Sequence, residues 1–315
     1  MRRSSCRFLS EQDCKLTKPG IYLLDKPVGH TSFSLVQGFM DEVRRAGIRR
    51  DELPVCHGGA LDPFASGLLL LLAGQATRLM DLLHGVPKTY VAEIAWGAET
   101  DNGDLLGKVT ATASAHALTP DLLDAALRPL LGWREQVPPA HSNKRVRGER
   151  AYLRAHRGES FELPPSRVYL HEARFLEHDL PRRSRLRIVT GGGYYVRALA
   201  RDLGRATSAL AHLGALRRTS IGPWEDPGPG GARVHVRGAA LFPWLPSLQI
   251  AGDDLAALRE GKDLPLLEPS PPPWPLPAGF PQPALVRALL GADLVALLRE
   301  RDGRWAAAPL LKAPL

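Results

Sequence analysis

Cysteine is scarce and unpatterned. Cys6, Cys14 and Cys56 are the only three in 315 residues. An odd number with no Cys-x-x-Cys pair argues against a disulfide framework and against a thiolate zinc site. A reducing cytoplasm is the compartment that suits such a chain. No apolar run approaches the roughly 20 residues that a membrane-spanning helix needs. Arg2 and Arg3 open the chain, but Glu11 and Asp13 interrupt the next stretch, so no secretory signal is expected. The glycines Gly191, Gly192 and Gly193 lack the Gly-Lys-Ser/Thr that would close a nucleoside triphosphate loop. Glu99, Asp101 and Asp104 crowd one polar loop, yet the further Gly and terminal Glu of a calcium-binding hand are missing. No repeat of fixed period is present. Neither a metal nor any other cofactor is expected.

The chain does have enough apolar material for a core, and an excess of positive charge. Hydrophobic residues make up 44% of it, and Lys plus Arg number 41 against 33 Asp plus Glu, a net charge of +8. At 315 residues the chain exceeds the usual size of one compact domain. A balance this basic favours a polyanionic partner, with plain solubility charge as the alternative reading.

One carboxylate sits in an unusual setting. Cys56-His57-Gly58-Gly59-Ala60-Leu61-Asp62-Pro63-Phe64-Ala65-Ser66-Gly67 places Asp62 after two glycines and before a proline. Pro63 biases Asp62 away from helical torsions. Leu68 to Leu72, closed by Gly74, reads as a buried strand. On composition alone an Asp-Pro turn beside a core strand explains the stretch. The ordered motif, however, together with Gly74-Gln75-Ala76-Thr77-Arg78, resembles the signature of the TruB family, the tRNA pseudouridine-55 synthases. That resemblance makes Asp62 the catalytic residue and His57 a contact to the flipped nucleotide. Gly58 departs from it, standing where the family usually has Thr.

Further matches lie along the chain. Residues 1–18 read as a polar tail whose Arg2, Arg3 and Arg7 are a solvated arm. Ile21 to Leu24 reads as a strand, Pro27 and Gly29 as a turn, and Ser32 as the cap of a helix to about Arg45. Asp25-Lys26-Pro27-Val28-Gly29 is similar to the family's first signature, which implies that Lys26 supports the active-site loop electrostatically. Ala76 to Leu83 reads as a helix. Lys88 to Trp96 alternates, so Tyr90, Ala92, Ile94 and Trp96 share one strand face. The family's Lys-x-Tyr at this place implies that Tyr90 stacks on the target base, replacing stacking lost on extrusion. Residues 97–104 read as a structural polar loop, and Thr119-Pro120-Asp121 as the capped start of a helix to about Leu131.

Gln136 to Tyr152 is strongly basic and resembles a family stretch. His141 there replaces a Tyr and Arg145 a Lys. A role for Arg145 on the substrate backbone is implied, against an exposed basic loop. Arg185 to Thr190 alternates as a strand, and Gly191-Gly192-Gly193-Tyr194-Tyr195-Val196-Arg197 leads into a helix to Gly204. This looks like the family's Cys-x-Lys-Gly-Thr-Tyr-Ile-Arg, with Gly192 in place of the lysine. It implies that Tyr195 handles a proton beside the base and that Arg197 pairs with the catalytic aspartate. A charge-assisted bond of that kind would favour the ionised carboxylate. Near the end of the match, Leu216 would line the base pocket, with ordinary core as its plainer reading.

The resemblance spans roughly residues 19–224. It implies an α+β pseudouridine synthase fold with a long mixed, mainly antiparallel sheet and a central cleft. A catalytic domain is expected over 19–245 and a small C-terminal PUA-like domain over 246–315. The latter contains a proline-rich insert at 269–283, a short helix at 251–260, and two strands turning at Asp302-Gly303. The implied partner is the T-arm of tRNA, bound by a monomer without metal or membrane. A non-catalytic RNA-binding or RNA-folding module on the same scaffold is the alternative, but binding alone has no use for a carboxylate facing a polyanion. A carboxylate glycosidase would want a second acid tied to Asp62, and nothing ties Asp101 or Asp104 to it.

Overall fold

The computed structural model describes residues 18–142, 144–146, 148–159 and 161–315. The expected arm, with Arg2, Arg3, Arg7, Cys6 and Cys14, lies outside the described residues. Two compact units are present. One comprises the chain up to Asp62, Gly67–Val86 and Gly222–Leu315; the other comprises Pro63–Ser66 and Pro87–Ile221. The chain passes from one to the other directly after Asp62.

The first unit opens with strand β1 (Gly20–Lys26) and helix α1 (Ser32–Arg45). Val36, Phe39 and Val43 recur at helical spacing and bury one face of α1 against Tyr22, Leu53, Leu69 and Leu71. Strand β2 (Val55–His57) and strand β3 (Ser66–Ala73) come next. β3 runs antiparallel to β1, from Lys26 opposite Gly67 to Gly20 opposite Ala73. Leu68 to Leu72 are all fully buried, so both faces of β3 are covered, as its unbroken leucine run demands. The helix expected over 76–83 is a 3₁₀ helix over Gly74–Leu83. The Thr77 hydroxyl donates to the Gly74 carbonyl three residues back at 2.7 Å, a local bond that suits the tighter turn.

The second unit is a sheet with helices. Strand β4 (Lys88–Trp96) alternates buried and half-buried as its sequence does. The polar stretch after it, read from the sequence as a structural loop, forms a hairpin of β5 (Ala98–Thr100) and β6 (Val109–Thr112). Helix α2 (Pro120–Leu127) is capped by Thr119 and continues as a 3₁₀ turn over Arg128–Leu130. Next come β7 (Gly132–Gln136), the short strands β8 (Arg145–Val146) and β9 (Glu149–Arg150), and helix α3 (Ala151–His156). The long strands β10 (Ser166–Asp179) and β11 (Arg183–Thr190) lead to helix α4 (Val196–Ala206) and strand β12 (Ala211–Ile221). The strands of this unit lie in the order β12-β4-β11-β10-β7, every pair antiparallel. At Gly204 the helix comes so near β12 that a Cβ would stand 2.3 Å from the Ala211 nitrogen, so only glycine permits that turn back.

The chain then returns to the first unit. Strand β13 (Trp224–Glu225) is followed by β14 (Val234–Val236), which pairs with β1. A second, smaller sheet is made of β15 (Ser247–Gln249), β16 (Leu264–Pro265), β17 (Val286–Leu290), β18 (Asp293–Arg301) and β19 (Arg304–Leu310), with helix α5 (Gly252–Arg259) between the first two. Its order is β15-β17-β18-β19-β16. Leu248, Leu255, Leu258, Val286, Val295, Leu298 and Trp305 fill its core. The β18–β19 turn falls at Asp302 and Gly303, with φ of 52° and 69°, the left-handed pair a tight two-residue hairpin requires. Residues 269–283 contain no helix and no strand beyond one bridge from Ser270 to Ser247.

A buried arginine joins the small sheet to the segment before it. Arg287 is 1% exposed. Its Nε donates to the Leu245 carbonyl at 3.1 Å and its Nη1 to those of Ala239 and Leu241 at 2.7 and 3.1 Å. Burial holds its pKa below the ordinary arginine value. Removing the donor strands the buried carbonyls of Leu241 and Leu245 and the part-buried one of Ala239, so Arg287→Met should cost about 3 kcal/mol of unfolding free energy. Arg287→Lys should recover little of it, because one ammonium does not reproduce the fork. Chemical denaturation of the three proteins measures this, and a Met variant with the wild-type midpoint would show that the fork contributes nothing.

Candidate active site

The loop that carries Asp62 is held from the start of α1. Thr31, not Ser32, caps that helix, accepting from the Ser34 amide at 3.0 Å. Ser32 serves another purpose. Its buried Oγ accepts from the Leu61 amide at 2.8 Å and donates to the Leu61 carbonyl at 3.2 Å. One hydroxyl thus grips both polar groups of the residue before Asp62. Asp62 itself is half-buried. Lys26 is fully buried at the end of β1, and its Nζ donates to the carbonyls of Pro27 and His30 at 3.0 and 2.7 Å, closing the turn between β1 and α1. His57 ends β2, opposite Leu71. Beside it, burial pushes the Cys56 thiol up, which makes a thiolate nucleophile there unfavourable.

Gly58 has a packing reason. A Cβ on it would lie 2.4 Å from Leu83 Cδ1 and 3.0 Å from Leu72 Cδ1. Leucine methyls fill the space where a threonine side chain would begin. The departure from the family pattern at this position is therefore coupled to the leucines around it.

In the second unit, the predicted residues gather on one sheet face and at the start of α4. Tyr90 pairs with Arg218 across β12 and with Ile188 across β11, and Leu216 pairs with Ala92. Tyr90 and Leu216 are each 8% exposed and lie diagonally on the same face. Lys88, two residues before Tyr90 on that face, was not singled out from sequence. It is buried, and burial together with the Arg218 guanidinium pulls its pKa down to about 7. The spacing that put Tyr90 on the inner face put Lys88 there as well, and that signal was available.

Tyr195 is half-buried and stands immediately before α4, whereas Tyr194 is buried. Burial pushes the Tyr194 phenol well above its ordinary value, which leaves Tyr195 as the more accessible of the two. Gln136, 1% exposed, uses both ends of its amide on Tyr195. Its Oε1 accepts from the Tyr195 N–H at 2.9 Å and its Nε2 donates to the Tyr195 carbonyl at 3.2 Å.

Arg197 is 5% exposed. Its Nη1 donates to the Asn102 carbonyl and its Nη2 to the His141 carbonyl, both at 2.8 Å. The acids that suggested a metal loop serve this geometry instead. Asp104 Oδ1 accepts from the Asn102 side chain and the Leu106 amide, each at 2.9 Å, and Asp101 Oδ1 accepts from the Lys108 amide at 2.9 Å. These bonds stiffen the turn that presents the Asn102 carbonyl. Among the described residues, no group of three or more His, Cys, Asp or Glu side chains stands together as a metal site. His141 meets Arg197 through its main chain, so that contact survives its replacement of a tyrosine. Arg145 lies in β8, opposite Arg150 of β9, on a two-stranded hairpin.

The family model for the TruB family pseudouridylate synthase (N terminal domain) matches residues 49–196. The tRNA pseudouridine synthase B of Phocaeicola vulgatus is 36% identical over 203 residues, which cover 64% of this chain and 85% of that protein. This chain belongs to the TruB family. The tRNA pseudouridine synthase B of Xanthomonas campestris pv. campestris (strain 8004) is 40% identical over 208 residues, 66% of this TruB-family chain and 65% of the relative. The match thus spans about two thirds of that relative's length. Among solved structures, a Cbf5-Nop10-Gar1 complex contains a chain with a TM-score of 0.63 and 21% identity, covering 95% of this chain and 86% of that one. A chain from an H/ACA RNP bound to a substrate RNA has a TM-score of 0.60 and 20% identity. At such identities the likeness is one of fold, and it is the α+β, mainly antiparallel fold with a smaller C-terminal sheet that the sequence led us to expect.

Ser32 provides the test of the loop geometry. Ser32→Ala removes the hydroxyl that bridges the two Leu61 groups, and a misplacement of about 1 Å near a reacting centre costs on the order of 100-fold in rate. If the chain carries the TruB-family activity, its single-turnover rate should fall by about 10- to 100-fold, with a loss of thermal stability that leaves the protein folded. A folded Ser32→Ala protein with the wild-type rate would show that Asp62 is held by other means.

Proposed function

We propose that this TruB-family chain isomerises uridine 55 in the T-arm of tRNA to pseudouridine. The ordered stretch His57 to Gly67, with Asp62 at its centre, carries this reading in a chain of this family. The N1–C1′ bond breaks, the freed uracil turns in place, and C5 bonds to C1′. C5 then gives up its proton and N1 gains one, so the reaction is redox-neutral and requires neither an energy source nor a cofactor.

Each residue has a part to play in this scheme. Asp62 acts at the sugar, as nucleophile or as base. Arg197 supplies the guanidinium that keeps the carboxylate ionised. Tyr195 takes the C5 proton, and Tyr90 gives the extruded base an aromatic face. His57 and Leu216 hold the flipped nucleotide, Lys26 supports the loop electrostatically, and Arg145 meets the substrate backbone. The net charge of +8 serves attraction of a polyanion. That an H/ACA RNP chain of the same fold was solved with substrate RNA supports RNA as the substrate class. We assign the chemistry to residues 19–245, acting as a monomer in the cytoplasm. Residues 246–315 add contacts to tRNA away from the reacting base, which strengthens binding without entering the chemical step.

Mapping pseudouridine in a tRNA transcript after incubation with the purified protein tests the reading. Wild type should modify position 55. Asp62→Asn keeps the shape of the side chain but loses its charge, and should abolish modification while tRNA binding stays nearly intact. In the same assay, reversing the exposed Arg299 of the small sheet to Glu should weaken binding and leave the saturated single-turnover rate unchanged. Modification by Asp62→Asn at a rate near wild type would contradict the assignment of the carboxylate. An unmodified transcript that still binds wild type tightly would favour the non-catalytic RNA-binding alternative.

A further inference from the structure

We propose that Gln136 is a positioning residue for the proton transfer, setting the place of the Tyr195 side chain by fixing the Tyr195 main chain. The inference rests on the reading of Tyr195 as the proton handler.

Gln136 is the last residue of β7 and pairs with Ser166 of β10, so its backbone is fixed by the sheet. Its side chain reaches the residue before α4. A helix start leaves amide groups without intrahelical partners, and a short polar side chain at the cap usually serves them. Tyr195 occupies the cap position, with φ of −104° and ψ of 107°, and its side chain makes no capping bond. Instead, its carbonyl accepts from the Ala198 and Leu199 amides at 3.1 and 3.2 Å, and the Gln136 amide takes hold of both Tyr195 main-chain groups from across the sheet. The partners dictate the orientation of that amide, oxygen toward the N–H and nitrogen toward the C=O. The Tyr195 ring therefore has no capping duty.

The segment after Gln136 reinforces the arrangement. Val137 accepts from Arg201 Nη2 at 3.1 Å and His141 from Arg197 Nη2 at 2.8 Å, both through main-chain carbonyls. Pro138 and Pro139 stiffen the stretch between them. Residues 136–141 therefore hold α4 at Tyr195, Arg197 and Arg201. Of these contacts, only the one at Tyr195 depends on the identity of a side chain in this segment.

The near-isosteric substitution Gln136→Glu gives a test that separates positioning from bulk stability. A carboxylate accepts from the Tyr195 N–H, but its second oxygen then faces the Tyr195 carbonyl and has nothing to donate. Only the protonated carboxyl restores both bonds. Burial and the facing carbonyl favour the protonated carboxyl, while the Tyr194 phenol and the Arg134 guanidinium, which share its surroundings, oppose them; the competent form exists below the resulting pKa and is lost as pH rises through it. In Gln136→Glu, the saturated single-turnover rate should be near wild type at low pH and fall with rising pH along a limb that wild type lacks, with tRNA affinity within about twofold throughout. Gln136→Met, which has no donor or acceptor of this kind, should lose about 100-fold in rate at every pH. Tyr195→Phe is measured alongside.

A Gln136→Glu profile matching wild type, or a Gln136→Met rate within twofold of wild type while Tyr195→Phe is inactive, would overturn the inference and leave the Tyr195 reading standing. A fully active Tyr195→Phe would overturn the reading itself, and the inference with it. Should Gln136→Met fail to fold, the pH profile of Gln136→Glu decides, because it compares one folded protein with itself.

Discussion

The two amino groups of the Arg197 guanidinium each meet a main-chain carbonyl, Asn102 on one side and His141 on the other. Those acceptors are 95 and 56 residues away in sequence. A buried charge is costly unless it is paired and hydrogen-bonded, and these bonds help offset that cost while fixing the plane of the guanidinium. Much of the second unit serves this arrangement. The turn that carries Asn102 is stiffened by Asp101 and Asp104. Gly103 has a φ of +78° and lies so close that a Cβ would come within 3.2 Å of the Arg197 Cβ. The proline-containing segment presents His141. Arginine is suited to this position because its donors are arranged in a rigid fork, which a lysine lacks.

A similar logic operates in the first unit. The Ser32 hydroxyl holds the main chain one residue before Asp62, and Lys26 closes the turn that leads to Ser32. Reactive side chains sit on connections, and connections are the mobile parts of a fold. Here they are secured by buried polar side chains bonded to main-chain groups. Such bonds tolerate change at the partner position, because the partner contributes only its backbone. His141 can stand where a tyrosine is usual, since its carbonyl is what Arg197 uses. Gly58 can stand where a threonine is usual, since leucine side chains occupy the space.

Much of this was legible in the sequence, for identifiable reasons. The β4 strand follows from strict alternation over Lys88–Trp96, and the fully buried β3 from the unbroken leucines. The β18–β19 hairpin follows from Asp302-Gly303, whose left-handed torsions few other pairs adopt. The ordered motifs led to the family, to the loop that carries Asp62, and to the start of α4 with Tyr195 and Arg197. Long-range polar bonds were not legible. Ser32 reads as a helix cap because a neighbouring threonine that could do the same job is not weighed by spacing alone. Gln136 reads as one polar residue in a basic stretch, because nothing local shows that Tyr195, 59 residues on, is its partner. Three acids in a short loop suggest a cation at first, but what they do bond could not be read: Asp101 and Asp104 accept from nearby amide groups and Glu99 from Arg205. The 3₁₀ helix over Gly74–Leu83 has the apolar content of an α-helix, so its tighter turn does not show in that content.

The central claim is that the geometry around Arg197, and not its charge alone, makes the site competent. The most direct measurement is the single-turnover release of the C5 hydrogen from tRNA labelled at uridine C5, with the protein at saturation, comparing wild type with Arg197→Lys. The lysine keeps the positive charge but cannot span the Asn102 and His141 carbonyls in the same plane. The account predicts a loss of about 100-fold or more in the rate of release, with tRNA affinity close to wild type and a lowered thermal midpoint that leaves the protein folded under the assay conditions. Release by Arg197→Lys at the wild-type rate would contradict it, and would mean that a positive charge at that position is sufficient.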